Sequence, residues 1–282
     1  MASDQPAGQK RTIVITGASD GIGAIAAREL AGPDTELVVV GRSAKKLAPV
    51  AADTGAQQFT ADFSRLSEVR DLADAINSAV GRIDVLMNNA GGTFDHKQRT
   101  HDGHEPNFQI NHLAPFLLTH LVRDRLVAAD GSLVLNTSSV GNLAGDVDLD
   151  DLDYKKRKAL FMRPYGSGKL MNIMFTRGIA KRWIGDKIYS AAVHPGPAAT
   201  SFGRDSRFVG LAYRSPLTKL VTITPDQGAA PLIALAERGA DPSLNGVYFS
   251  RHKANGLENP QAKNQGLIDG LWKRSAELTG LA

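Results

Sequence analysis

Seven short apolar runs, separated by stretches of helical spacing, constrain this chain most. The runs are Thr12-Ile13-Val14-Ile15, Leu37-Val38-Val39-Val40, Gln57 to Thr60, Ile83-Asp84-Val85-Leu86-Met87, Leu133-Val134-Leu135-Asn136, Ile188 to Val193 and Gly246-Val247-Tyr248-Phe249. They do not alternate apolar with polar, so each reads as a strand buried on both faces. Helical patterns lie between them at about 22–31, 44–52, 65–80, 105–129, 165–184 and 226–238, with a last one near Leu267 to Leu278. Leu66, Val69, Leu72, Ala73, Ile76 and Val80 share one helical face, with charges opposite. Strands alternating with helices predict an α/β chain: a doubly wound parallel sheet of about seven strands, with right-handed crossovers and helices on both faces. No repeat or low-complexity linker divides it, so residues 11–282 read as one domain behind a flexible tail at 1–10.

Two segments stand outside the alternation. Residues 141–163 are acidic, then basic, and residues 201–224 are polar with Arg204, Arg207 and Arg214. Insertions near the carboxyl ends of strands commonly shape a ligand site. The first is read as one wall of such a site and the second as its lid.

The chain has 282 residues, 42% of them hydrophobic and 22% charged, enough for a full core. With no cysteine, disulfides, thiolate metal sites and cysteine nucleophiles are excluded. The net charge of +4 is scattered apart from Lys155-Lys156-Arg157-Lys158, and no aromatic-interleaved basic stripe points to nucleic acid. His112, His120 and His194 lack partners at metal-ligand spacing and read as non-ligands. The amino terminus lacks the apolar stretch of a signal peptide, and no run approaches the ~20 apolar residues of a membrane helix. A soluble cytoplasmic protein without a membrane span is expected.

The first strand runs into Thr16-Gly17-Ala18-Ser19-Asp20-Gly21-Ile22-Gly23, which opens a helix. Gly17 permits a tight turn, Gly21 a close backbone approach to an anion, and Gly23 close helix–strand packing. Free amides and the dipole at the helix start attract a pyrophosphate. The spacing is Gly-x-x-x-Gly-x-Gly, and no lysine-serine pair follows, which argues against a nucleotide-triphosphate loop. After the second strand comes Gly41-Arg42-Ser43, then Lys45 and Lys46. An acidic residue there would bind ribose hydroxyls; a guanidinium instead suits a 2′-phosphate, favouring NADP(H) over NAD(H).

Tyr165 and Lys169 lie one helical turn apart on one face, and Ser138-Ser139 closes the fifth strand. A phenol has a pKa near ~10, too high for a good base at neutral pH, but a neighbouring ammonium favours the phenolate. Tyr165 could then take a proton from an alcohol or give one to a carbonyl, while a serine hydroxyl holds the same oxygen. By itself the pair could equally be a packed Tyr and a snorkelling Lys.

Together these residues resemble the short-chain dehydrogenase/reductase family over about residues 10–250. The likeness adds Ala61-Asp62-Phe63, Asn88-Asn89-Ala90-Gly91, Phe108-Gln109-Ile110-Asn111-His112, Asn136-Thr137-Ser138-Ser139 and His194-Pro195-Gly196-Pro197-Ala198-Ala199-Thr200 to the glycine turn and the Tyr/Lys pair. It implies a Rossmann-type fold and hydride transfer between the nicotinamide C4 and a carbon bearing hydroxyl or carbonyl. It implies catalytic roles for four residues. Ser139 would polarise the substrate oxygen and Tyr165 would be the general acid/base. Lys169 would bind the nicotinamide ribose and lower the Tyr pKa. Asn111 would kink its helix and hold a relay water. The coenzyme would meet Gly17, Ser19, Asp20, Gly21, Ile22, Gly23 and Arg42 at the cradle. Asp62 with Phe63, and Asn89, Ala90 and Gly91, would line its adenosine side. Pro195, Gly196 and Thr200 would hold its carboxamide end.

Asp62 also suits a helix cap and Asn111 an ordinary helix position. Gly168 stands where many members carry Ser, and Asp20 where some NADP-preferring members carry a basic residue. The long Ser139–Tyr165 interval, containing Asp151 to Lys158, resembles the retinol-dehydrogenase-like and protochlorophyllide-reductase-like branch. That branch implies a small-molecule substrate, a bulky apolar alcohol or carbonyl. Its eukaryotic members often carry a membrane anchor, absent here. Family members commonly assemble through the helices placed at 105–129 and 165–184, leaving a homodimer or homotetramer open. Two other readings remain at this level: a non-catalytic coenzyme sensor of the same fold, and epimerisation or dehydration of a sugar nucleotide.

Overall fold

A computed structural model of the protein describes residues 10–160, 162–196 and 224–281. The tail up to residue 9, Thr200 and the proposed lid up to residue 223 lie outside the described residues.

Each run forms a strand, but Gln57–Thr60, at the sheet edge, is largely exposed rather than buried on both faces. In chain order these are β1 (Arg11–Thr16), β2 (Thr35–Gly41), β3 (Gln57–Thr60), β4 (Val85–Asn88), β5 (Ser132–Thr137), β6 (Ile188–His194) and β7 (Val247–Ser250). They pair in parallel in the order 3-2-1-4-5-6-7, with Ile13 facing Leu37 on one side and Val85 on the other. The order reverses between β1 and β4, which places the ligand crevice outside the carboxyl ends of those strands. An eighth strand, β8 (Lys253–Ala254), pairs antiparallel with β7 and corrects the expected count of about seven. Two exposed residues in a hairpin carry no periodicity to read.

Pleating sends successive strand side chains to opposite faces. Val14, Val38, Leu86 and Val134 meet helices α3 (Leu66–Ala79), α5 (Ala114–Leu121) and α7 (Arg163–Arg182). Ile13, Ile15, Val39 and Leu135 meet α1 (Gly21–Leu30), α2 (Ala44–Thr54) and α8 (Pro225–Arg238). The expected face of α3 is the buried one, through Val69, Leu72, Ala73 and Ile76.

The helix expected over 105–129 is broken. A short turn, α4 (Pro106–Phe108), runs into a π-helical stretch at Gln109–Leu113, then α5, and a separate α6 (Arg123–Val127). Pro115 is the cause: it has no N–H to give the Asn111 carbonyl four residues earlier. The ladder widens, and the Ala114 amide reaches the Gln109 carbonyl instead.

The last helix, α9 (Gln265–Leu278), lies across α5 and α7. The Trp272 ring sits 4.9 Å from His120, 5.3 Å from Phe116 and 5.6 Å from Trp183. Gly178 lets it approach, since a Cβ there would come 2.7 Å from the indole. Part of the helix surface left open for an assembly is thus covered within the chain, at Phe116, His120, Gly178 and Trp183.

The acidic-then-basic insertion neutralises itself. The Asp151 carboxylate accepts the amides of Lys155, Lys156 and Arg157. The Arg157 guanidinium returns to Asp146 at 2.6 Å and covers the Tyr154 ring at 4.4 Å. Tyr154 then meets Ser167 on α7 at 2.7 Å, which ties the insertion to the helix carrying Tyr165.

Candidate active site

A cavity of about 610 Å³ opens at the carboxyl ends of β1, β2, β4, β5 and β6. It is large enough for a cofactor with a small substrate.

At one end lies the glycine turn. Gly17 (φ +68°) and Gly21 (φ +56°) adopt the left-handed backbone that glycine tolerates. A Cβ on Gly17 would lie 2.8 Å from the Ala90 backbone, and one on Gly23 2.3 Å from the Gly17 carbonyl. Asn89 fixes this contact by donating to the Thr16 and Gly17 carbonyls at 3.1 and 3.3 Å. The backbones of two strand ends therefore meet where side chains would hold them apart, leaving a cradle at the start of α1. Asp20 caps α1 by accepting the Gly21 amide at 2.8 Å. Its carboxylate serves the helix end, as an Asp suits an N-cap.

Beyond β2, the chain turns at Gly41, and Arg42 and Lys46 line the cavity with Ser19. Asp62 and Phe63 line the same end. Asp62 also accepts the Ser64 amide at 2.9 Å, the local turn that its residue type favours.

At the other end the two serines diverge. Ser138 is buried and donates to the Lys169 carbonyl at 2.8 Å. Ser139 faces the cavity, where its hydroxyl accepts the Gly141 amide at 3.1 Å. Gly141 lies against Tyr165, since a Cβ there would come 2.9 Å from the phenol ring. Ser139 and Tyr165 thus flank one glycine. The Lys169 Nζ lies 5.9 Å from the Tyr165 ring centre and donates to the Thr137 carbonyl at 3.0 Å. Burial lowers its pKa to about 8, so it stays cationic at neutral pH beside the phenol.

Asn111 does not line the cavity; it stands behind Gly91 and Gly92. Its Oδ1 accepts the Gly92 amide, and its Nδ2 donates to the Gly92 and Asn107 carbonyls, all at 3.0 Å. Asn107 clamps the next residues alike, accepting the Phe94 amide at 2.9 Å and donating to its carbonyl at 3.0 Å. Gly168 makes room for this: a Cβ there would come 2.6 Å from the Asn107 carbonyl.

Pro195 and Gly196 line the remaining edge, where the Gly196 amide donates to His194 Nδ1 at 3.3 Å. Burial lowers the His194 pKa to about 4, so its ring is neutral. Phe94, Gly141 and Met162 also line the cavity without having been singled out in the sequence. Gly141 follows Ser139 by two residues and was legible from that offset; Met162 carried no signal. His112 and His120 lie away from the cavity, in the aromatic cluster under α9.

The sequence model of the family described as short chain dehydrogenase matches residues 11–207. The chain belongs to this family. It is 34% identical to human retinol dehydrogenase 13, over 96% of this chain and 85% of that one, and 35% identical to human retinol dehydrogenase 12, over 96% and 87%. It is 36% identical to a Streptomyces sp. (strain C5) protein assigned provisionally as the daunorubicin C-13 ketoreductase DnrU, over 96% and 93%. Among solved structures, an uncharacterized protein from Mycobacterium paratuberculosis superimposes with a TM-score of 0.76 at 29% identity, over 99% of this chain and 97% of that one. A short-chain dehydrogenase from Sphingobium yanoikuyae in complex with NADPH does so at 0.63 and 25%, over 81% and 84%. The chain is therefore an NAD(P)-dependent oxidoreductase of the retinol-dehydrogenase-like branch, a short-chain alcohol dehydrogenase or carbonyl reductase acting on a small molecule. Among the described residues, no helix is long and apolar enough to cross a membrane.

Proposed function

We propose that the enzyme uses NADP(H) to interconvert a bulky apolar ketone or aldehyde and its alcohol, with Ser139, Tyr165, Lys169 and Asn111 handling the proton. The carrying observation is that one cavity joins the glycine cradle and Arg42 at one end to Ser139 and Tyr165 at the other. A pyrophosphate fits the cradle because Gly17 and Gly23, without Cβ atoms, let the turn close against Ala90 and onto the start of α1. Arg42, Lys46 and Ser19 suit a 2′-phosphate, with Gly41 rather than a carboxylate ending β2. Asp62, Phe63 and Asn89 to Gly91 would line the adenosine side, and Pro195 and Gly196 the carboxamide end. When bound, the coenzyme supplies or accepts the hydride.

The chain's own residues do the rest. Tyr165 gives a proton to the carbonyl oxygen, or takes one from the alcohol, while the Ser139 hydroxyl bonds the same oxygen. The Lys169 ammonium favours the phenolate form of Tyr165 between turnovers. Asn111 holds the strap at Gly92, and its carbonyl, denied the Pro115 amide, would take the relay water. Phe94, Val140 and Met162 give the substrate end an apolar lining. That lining and the retinol dehydrogenase relatives support a bulky apolar substrate.

Titration of the purified protein with NADPH and NADH by coenzyme fluorescence tests this. NADPH is expected to bind at least tenfold tighter, with Arg42→Ala erasing most of the difference, since a charge-assisted phosphate contact contributes about 1.5–3 kcal/mol. Equal affinity for both coenzymes would refute the assignment of Arg42.

A further inference from the structure

The turn that carries Ser139 is held from the side opposite the cavity. The 3-10 turn Val140–Ala144 follows Ser139 directly. Asn142 within it is fully buried, and its side chain uses both ends. Its Nδ2 donates to the Ser139 carbonyl at 2.7 Å and to the Tyr248 hydroxyl at 3.2 Å. Its Oδ1 accepts the Asn259 amide at 2.9 Å. Asn259 in turn donates from Nδ2 to the Gly145 carbonyl at 2.8 Å. Two residues on, Gln261 brackets Val147, accepting its amide at 2.8 Å and donating to its carbonyl at 3.1 Å.

The opposite face of the turn presses on α7. Besides Gly141 against the Tyr165 ring, Gly145 meets Gly166: a Cβ on Gly145 would lie 2.6 Å from the Gly166 carbonyl. The turn is therefore wedged between the helix that presents Tyr165 and a strap at residues 259–261. With glycines on the α7 side, backbone meets backbone and there is no side chain to adjust. The spacing of Ser139 from Tyr165 then depends on what holds the turn from behind.

We propose that Asn142 is a positioning residue for Ser139, and that the strap at 259–261 acts on the reaction through it. This rests on the assignment of Ser139 as the group that bonds the substrate oxygen. A buried primary amide suits the task. Its two donors and its acceptor are met by three partners on three segments; a change at 142 would leave the Tyr248 hydroxyl and the Asn259 amide without these bonds and the Ser139 carbonyl with the residue-142 amide alone. The Ser139 carbonyl would lose one of its two bonds and the turn one of its two ties to the strap, leaving that from Asn259 to Gly145, while residues at the coenzyme cradle keep all their contacts.

The test is a double-mutant cycle of Ser139→Ala and Asn142→Ala, measuring kcat, KM for a ketone substrate and the dissociation constant for NADPH. Asn142→Ala is expected to lower kcat about 10- to 100-fold, the scale of an ångström-sized misplacement at a reacting centre. NADPH affinity should stay within about threefold. In the Ser139→Ala background, Asn142→Ala should cost less than about threefold more, because two changes acting through one contact are not additive. Fully additive losses would overturn the inference and make Asn142 a structural residue alone. Ser139→Ala with undiminished kcat would instead remove the role of Ser139, a separate result readable without the second substitution, and the inference with it. If Asn142→Ala does not fold, Asn142→Asp replaces it, since it keeps the acceptor for the Asn259 amide and loses the amide donors to the Ser139 carbonyl and the Tyr248 hydroxyl. A loss of about threefold to tenfold in kcat, again absent in the Ser139→Ala background, is expected; unchanged kcat would overturn the proposal.

Discussion

Replacing Gly91 with alanine should disable the site by displacing Asn111 and crowding Lys169, with neither of them substituted. A Cβ at position 91 would fall 2.4 Å from Asn111 Oδ1 and 3.2 Å from Lys169 Nζ, whereas real Cβ atoms essentially never come within 3.0 Å of such neighbours. The oxygen must retreat by the difference, 3.0 − 2.4 Å, or about 0.6 Å. Its bond to the Gly92 amide, now 3.0 Å, would stretch to about 3.6 Å and cease to be one. The paired bond from Nδ2 to the Gly92 carbonyl strains with it. One or two buried hydrogen bonds correspond to about 1–3 kcal/mol of stability. The kinetic effect is larger in proportion: displacement on this scale beside Lys169 should lower kcat about 100-fold, or about 2.7 kcal/mol of barrier. Steady-state kinetics with NADPH and a ketone, alongside thermal melts, measure both. Gly81→Ala is the control, because nothing lies within 4 Å of a Cβ there. Wild-type kcat and melting temperature in Gly91→Ala would refute the packing argument.

Two further outcomes follow from the fold. Burial lowers the pKa of His112 to about 3 and of His120 to about 4, whereas both titrate near ~6.5 when unfolded. With His194, whose pKa burial lowers to about 4, the unfolded state then binds up to three more protons between pH 6.5 and 4, so stability should fall by up to about 4 kcal/mol per pH unit as the solution is acidified. Denaturant melts across that range check the slope, and a flat profile would contradict the buried, neutral histidines. Because α9 covers α5 and α7, the protein should not dimerise through those helices; light scattering showing a dimer that is lost on substitution in α7 would contradict this.

Most strands were legible because each is a continuous apolar run, a pattern that only a sheet covered on both faces requires; β3, largely exposed, gave a weaker signal. The break in the 105–129 segment was not legible from spacing, because its apolar residues keep helical spacing straight through Pro115; only the family resemblance implied a kink, at Asn111. The missing N–H, weighed against Asn111 four residues earlier, reveals the widened turn. The pair Ser138-Ser139 shows how much of a site is local in sequence and how little of its geometry is. Either hydroxyl suits the chemistry and both residues line the cavity, but just beyond β5 the Ser138 hydroxyl is taken by the Lys169 carbonyl, while Ser139 and Tyr165 flank Gly141. The insertion is opaque in another way. Its run of acids and bases reads as one wall of a ligand site, with nothing to show that Asp151 and Arg157 close it on itself through the chain's own amides. Asn142 and Asn259 were invisible, since their partnership joins residues 117 positions apart.

The most direct test of the account is the turnover of Tyr165→Phe with NADPH and a ketone that the wild-type enzyme reduces. The substitution keeps the ring against Gly141 and removes only the hydroxyl. The account predicts a fall in kcat of at least about 100-fold, the scale of a lost general acid, with NADPH affinity unchanged within about threefold. Full turnover by the Phe variant would contradict it.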